Sequence, residues 1–301
     1  MECFLSQFHS DAHACDKHIG SLLKEVPEPV ERLHDSMSFA VLNGGKRMRA
    51  ALVFGAARMA SGQDNKAVPS EAMLRTAAAI EFLHSYSLVH DDLPAMDNAE
   101  TRRGQSSCHI KFDEATAILA GDALQTMAFE TLADQRTHFD AEVRIKLIAA
   151  LAKASGLQGM AGGQMLDLQA ESRQFNLAET QRMQMMKTGA ILSCAVVCGG
   201  IVGAAPPNMQ AALVTFAQNL GLAFQITDDL LDYAGDENVM GKPSGQDADR
   251  GKAGFVALMG AEKASREARR MIDDANAALA PWQKTAQYMQ SLAKFAITRN
   301  S

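Results

Sequence analysis

SEAMLRTAAAIEFLHSYSLVHDDLPAMD, residues 70–97, is the stretch whose reading decides the fold. Ser70 is a good N-cap, because a serine oxygen can accept one of the unpaired first-turn amides. Met73, Ala77, Ile80, Leu83, Ser87 and His90 then recur at steps of three or four, the spacing of one helix face. This helix carries two aspartates at its end. Pro94 lacks an N–H and its ring clashes with the carbonyl four residues back, so the helix ends or kinks there. The same grammar repeats outward. Helices are expected from Ala115 to Leu132, Val143 to Leu157, Ala178 to Val202, from a cap at Asn208 to about Tyr233, Glu262 to Leu279 and Lys284 to Ile297. Eight prolines separate long proline-free stretches. No period-two run is long enough to suggest a sheet, and there is no repeat at solenoid spacing. One all-α domain spanning 1–301 is the simplest reading.

Composition narrows the possibilities. The chain has 301 residues, 47% of them hydrophobic and 21% charged, which excludes disorder. Its formal net charge of −6 argues against nucleic acid as a partner, since that needs a basic face. Phosphate binding would require a local basic cluster or metal ions. Met1 to Ser10 includes Glu2 and His9 and lacks the basic start and apolar run of a signal peptide. No stretch is read as approaching the apolar length of a membrane span, and residues 298–301 hold no prenylation cysteine. The five cysteines at 3, 15, 108, 194 and 198 show no paired spacing, so reduced thiols and a cytoplasmic setting are expected.

Two acidic clusters end apolar helices. In a continuous helix Asp97 would lie about 240° round from Asp91. A break at Pro94 lets the chain curl and bring Asp97 back. In Asp228-Asp229-Leu230-Leu231-Asp232, Asp228 and Asp232 share a face, where like charges repel and call for a cation. One such cluster could be a solvated helix end; two make that reading weak. Carboxylates without nearby His or Cys suit hard cations. Mg²⁺ typically takes one or two carboxylates plus substrate phosphates.

The basic counterpart is Gly44-Gly45-Lys46-Arg47-Met48-Arg49, a glycine turn followed by three cations. Taken alone it reads as a solvated basic turn. Arg102-Arg103-Gly104 follows the first acidic cluster, and arginine's planar fork suits phosphate oxygens. Lys187 interrupts an apolar helix, where it could snorkel to water or serve a site. Lys242 and Lys252 flank the glycine-rich stretch Gly235 to Gly254. There is no P-loop. His9, His13, Cys15 and His18 read as a fluctuating surface segment rather than a zinc site. Cys194 and Cys198 read as packed thiols, and Gly162-Gly163-Gln164 with Asp167 as either a helix kink or a site element.

These residues together resemble the trans-isoprenyl diphosphate synthases, most closely the bacterial farnesyl diphosphate synthases. The motifs stand in that family's order from about residue 39 onward: GGKRMR at 44–49, His84, DDLPAMD at 91–97, RRG at 102–104, GGQMLDL at 162–168, KTG at 187–189, FQITDDLLD at 224–232 and GKPSGQD at 241–247. The resemblance implies long antiparallel helices round a deep cavity, usually in a homodimer. It implies that Asp91, Asp92, Asp97, Asp228 and Asp232 hold several Mg²⁺ ions (Mn²⁺ can substitute) bridging to an allylic diphosphate, which Arg102, Lys187 and Lys242 also contact. Lys46, Arg49, His84 and Arg103 would bind isopentenyl diphosphate, Lys252 would join the substrate contacts, and Thr188 and Gln225 would lie near the developing cation.

The reaction so implied is a head-to-tail condensation. Diphosphate leaves the allylic carbon, the isopentenyl double bond attacks the cation, and a proton is lost to the released pyrophosphate. Tyr86, five residues before Asp91, with Ser87 beside it, stands where the family stops the growing chain, and an aromatic there resembles enzymes that stop at fifteen carbons. Ten- and twenty-carbon products are the alternatives. A terpene cyclase and a non-catalytic partner subunit are remoter ones, since both acidic motifs and a second diphosphate site are intact. Three positions depart from the family pattern. Ala50 stands for proline, Thr227 for glutamine, and Ala253-Gly254-Phe255-Val256 for a Ser/Thr-Tyr-Pro run.

Overall fold

The computed structural model describes residues 2–24, 30–234 and 254–298. It is helical nearly throughout, as expected. The helices are α1 (Glu2–Lys24), α2 (Glu31–Leu42), α3 (Met48–Ser61), α4 (Glu71–Asp91), α5 (Cys108–Lys111), α6 (Glu114–Ala133), α7 (Ala141–Ser155), α8 (Met160–Ala170), α9 (Leu177–Gln184), α10 (Ala190–Val202), α11 (Pro207–Ala234), α12 (Phe255–Met259), α13 (Ala261–Ala278) and α14 (Gln283–Thr298). A π-helical turn, Met185–Gly189, joins α9 to α10. Among the described residues the one sheet is a ribbon of two antiparallel two-residue strands, β1 (Thr101–Arg102) and β2 (Gln105–Ser106).

The helices group into two compact units, one of residues 2–54 and 68–148, the other of residues 55–67 and 149 onward. In the first unit α4 packs chiefly on α6, with α1 and α2 alongside. Ser70 caps α4 by accepting the Met73 amide at 3.3 Å. Ile80, Phe82 and Leu83 are fully buried. Truncating Phe82 to alanine is expected to cost about 3–5 kcal/mol. Buried Arg75 ties α4 to the α6–α7 connection through Thr137 at 2.9 Å and Asp134 at 3.0 Å. In the second unit α11 packs on α10 and α13. Arg58, wholly buried, donates to Ala67 O at 2.7 Å beneath the Tyr288 ring.

Three expectations are corrected. The N-terminal stretch is not a fluctuating segment: α1 turns Phe8, Cys15 and Ile19 inward while His9 and His13 remain exposed. The stretch Leu177–Val202 is long and apolar enough to cross a membrane by length and composition, contrary to the sequence reading, although half of that apolar window is buried within the chain. A packed core helix passes the same test. Asn208 does not cap α11, which starts at Pro207, a residue suited to the first helical position.

Candidate active site

The first acidic cluster is built by the break after α4. Beyond Asp92 the chain turns on itself: the Asp97 amide donates to Asp91 O at 2.8 Å, and the Ala99 amide to Asp92 O at 3.1 Å. Asn98 takes the left-handed conformation at φ +48°. The chain then enters the β1–β2 ribbon, whose turn places Arg103 and Gly104 at positive φ. That ribbon sends Arg102 back to Asp92. Arg102 Nε donates to the Asp92 carboxylate at 2.9 and 3.3 Å, and Nη2 donates to Oδ1. Asp92 is 2% exposed. Burial alone would lower the Arg102 pKa, but its hydrogen bonds to Asp92 and the charges of Asp92, Asp91 and Asp97 raise it.

Arg103, in the turn of the ribbon, faces the 44–49 turn instead. Its Nη1 donates to Gly44 O at 2.7 Å. A Cβ on Gly45, whose φ is +112°, would lie 2.9 Å from the Arg103 guanidinium, so glycine there permits the approach. Half-buried His84 shares this setting. Burial first, then the charges of Arg49, Arg103, Arg47 and Arg102, push its pKa well below the ordinary 6.5. The imidazole is therefore neutral beside a concentration of positive charge. Lys46 is exposed and Arg49 half-buried at the same turn.

Arg47, read from sequence as one more cation of a solvated turn, is 3% exposed. It donates to Asp16 on α1 at 2.6 Å, to Glu81 on α4 at 3.1 Å and to Val41 O at 2.5 Å. It sits at φ +52° and so fixes the turn that presents Lys46 and Arg49. Asp16 and Glu81 were missed because no local pattern pairs residues that lie 31 and 34 positions away. Glu81 also accepts the Ala50 amide at 3.3 Å. A proline, the family's usual residue there, has no such donor.

Tyr86 is half-buried, its ring edge-on to His90 at 4.9 Å. Burial raises its pKa, against the hydrogen bond with Gln125. His90 bonds Ile118 O at 3.0 Å and fills the space over Gly121, where a Cβ would overlap the ring. The Ser87 hydroxyl returns to His84 O at 2.7 Å.

In the second unit the GGQ and KTG motifs meet. Gly163 on α8 lies against the backbone of Lys187, where any Cβ would overlap. Lys187 Nζ donates to Asp167 Oδ2 at 2.7 Å, and Asp167 is 6% exposed. Lys187 is thus paired rather than snorkelled to water. The π turn that carries Lys187 and Thr188 closes at Gly189, and a Cβ on Gly221 of α11 would come within 3.2 Å of Gly189 Cα. Gln225 follows one turn later, half-buried like Thr188. Thr227 spends its hydroxyl on Ala223 O at 2.8 Å.

The second acidic cluster sits on regular helix. Asp228 is exposed and Asp232 half-buried. Asp229 accepts the Val256 amide at 2.6 Å. Lys242, Lys252 and the 241–247 motif lie outside the described residues. Among the described residues no three His, Cys, Asp or Glu side chains are gathered closely enough to hold one metal ion. The donor chemistry, carboxylate oxygen on both helix ends, fits a hard cation.

The chain matches the family model described as polyprenyl synthetase over residues 30–291. It is 40% identical to farnesyl diphosphate synthase of Escherichia coli, over 97% of this chain and 99% of that one. It is 39% identical to the enzyme of the same name from Haemophilus influenzae, over 99% and 100%. A crystal structure of an FPP/GFPP synthase from Zymomonas mobilis superimposes with a TM-score of 0.86 at 38% identity, covering 98% of each chain.

Proposed function

The chain belongs to the polyprenyl synthetase family, and from that premise we propose that it condenses isopentenyl diphosphate head-to-tail with dimethylallyl or geranyl diphosphate, giving farnesyl diphosphate and pyrophosphate. It is a prenyltransferase. The observation that carries the site assignment is the aspartate loop folded back after Asp92, with Arg102 held on Asp92 and Arg103 held on the glycine turn at Gly44. A diphosphate is what that charge distribution suits.

Each residue then has work to do. Lys46, Arg49, Arg103 and His84 hold the isopentenyl diphosphate, with His84 as an uncharged hydrogen-bonding group. Arg102 and Lys187 stabilise the leaving diphosphate as the allylic C–O bond breaks, an electrostatic role that is worth most where water is excluded. The isopentenyl π bond forms the new C–C bond, and the departing pyrophosphate takes the proton that restores a double bond. Thr188 and Gln225 orient against the cationic carbon. The family is divalent-metal dependent; we assign Mg²⁺, with Asp91, Asp92 and Asp97 and the Asp228–Asp232 pair as the residues that would hold it. It would supply positive charge to the diphosphate oxygens. Asp92 would first have to share or yield Arg102.

We extend the same proposal to Lys242 and Lys252 as diphosphate contacts, to a single working domain of residues 1–301, to a cytoplasmic setting and to a homodimer. Ile118 and Leu119 of α6, 44% and 56% exposed, supply an apolar face for a second copy. Tyr86 is the stop for the growing chain. The test is pyrophosphate release: with Mg²⁺ it should require isopentenyl and geranyl diphosphate together. Release from geranyl diphosphate alone would favour a cyclase.

A further inference from the structure

Gly254 stands at the N-cap of the five-residue helix α12 but has no side chain to cap it. The capping acceptor comes from elsewhere. Asp229, on α11, takes the amide of Val256 at 2.6 Å. Val256 is the second residue of the helix, and that amide is one an N-cap side chain commonly satisfies. A carboxylate also complements the positive end of the helix. The fit depends on both partners. A Cβ on residue 254 would overlap both Asp229 oxygens, and a residue without an N–H at 256 could not donate. This is the stretch where the sequence departs from the family's Ser/Thr-Tyr-Pro run.

We propose that Asp229 is a positioning residue that caps α12 from a distance and fixes the chain that follows residue 253 onto α11, rather than a metal ligand like its neighbour Asp228. The inference rests on the prenyl-transfer reading for its consequence in turnover, though not for its geometry. The helix itself is closed at its far end by the Gly260 amide on Val256 O at 2.8 Å, so Val256 is bonded at both its amide and its carbonyl.

The test is a double-mutant cycle with Asp229→Ala and Val256→Pro, read by amide hydrogen exchange and by kcat/KM. Proline is tolerated in a first helical turn. Each single variant should speed exchange over residues 255–260 by about fivefold, the loss of one cap. The double variant should be no faster than either. Asp229→Asn keeps an acceptor oxygen and should exchange like wild type. Half-saturating Mg²⁺ should stay unchanged in Asp229→Ala but rise in Asp228→Ala. Multiplying effects in the double variant, or a raised Mg²⁺ requirement in Asp229→Ala alone, would overturn the proposal. Should Val256→Pro fail to fold, Gly254→Ala displaces the carboxylate and must reproduce the exchange of Asp229→Ala. The exchange measurement needs no turnover, so it stands apart from any failure of the prenyl-transfer reading.

Discussion

Asp92 and Asp229 are each the second aspartate of an Asp-Asp pair ending an apolar helix, yet they do different work. Asp92 is buried and gripped by Arg102 from a ribbon ten residues on. Asp229 is half-buried and takes a backbone amide from a helix 27 residues on. The cations differ in the same way. In the first unit the arginine is held by the acidic cluster itself, while in the second Lys187 is held by Asp167 of α8, outside the cluster. The difference lies in where the chain breaks. Pro94 stops α4 at once, so the first cluster folds into a loop that can close on a neighbouring arginine. α11 runs on past Asp232 to Ala234, and its carboxylates stay spread along a helix. One motif is preassembled by its own loop; the other depends on partners from the rest of its unit.

The largest effects should fall on turnover. Asp91→Ala and Asp228→Ala should each lower kcat/KM by roughly 10²- to 10³-fold, the scale for losing one transition-state stabiliser. A much weaker effect for one of them, in an Mg²⁺ titration, would break the symmetry of the two clusters. Arg102→Ala strands a buried carboxylate and should cost about 3 kcal/mol in urea unfolding. Adding Asp92→Asn should recover part of that loss, and no recovery would mean that the arginine acts elsewhere. Gly163→Ala forces a methyl into the Lys187 backbone and should destabilise by about 1–3 kcal/mol while lowering kcat, because the π turn moves.

Smaller effects sharpen the picture of the turn at 44–49. Ala50→Pro removes the amide that Glu81 accepts and should cost about 1 kcal/mol. His84 gives the pH dependence. Its pKa is depressed in the fold, so below the ordinary 6.5 the unfolded chain takes up a proton that the folded one refuses. Stability should therefore be fully present above 6.5 and fall as pH drops below it. His84→Gln should remove that component, as urea midpoints measured on either side of 6.5 would show.

Much of this was legible in the sequence. The Ser70 cap, the apolar stripe of α4 and the turn-back after Pro94 follow from local rules, and each is where those rules put it. The helix α1 is legible in the same way, since Phe4, Phe8, Cys15, Ile19 and Leu22 keep helical spacing and are buried, although His9, His13 and His18 interleave with them. What could not be read was pairing over distance. Nothing near Arg47 announces that Asp16 and Glu81 will bury it, and nothing near Lys187 announces Asp167. The π turn is equally silent: the close approach of Gly163 and Gly221 to it joins segments far apart in the sequence.

The most direct measurement is the carbon number of the product formed from isopentenyl diphosphate and dimethylallyl or geranyl diphosphate with Mg²⁺. The account predicts a fifteen-carbon diphosphate in the wild type and longer chains once Tyr86→Ala opens the space before Asp91. A ten- or twenty-carbon wild-type product, or an unchanged product from Tyr86→Ala, would contradict the assignment of Tyr86 as the stop. No condensation at all would contradict the central claim.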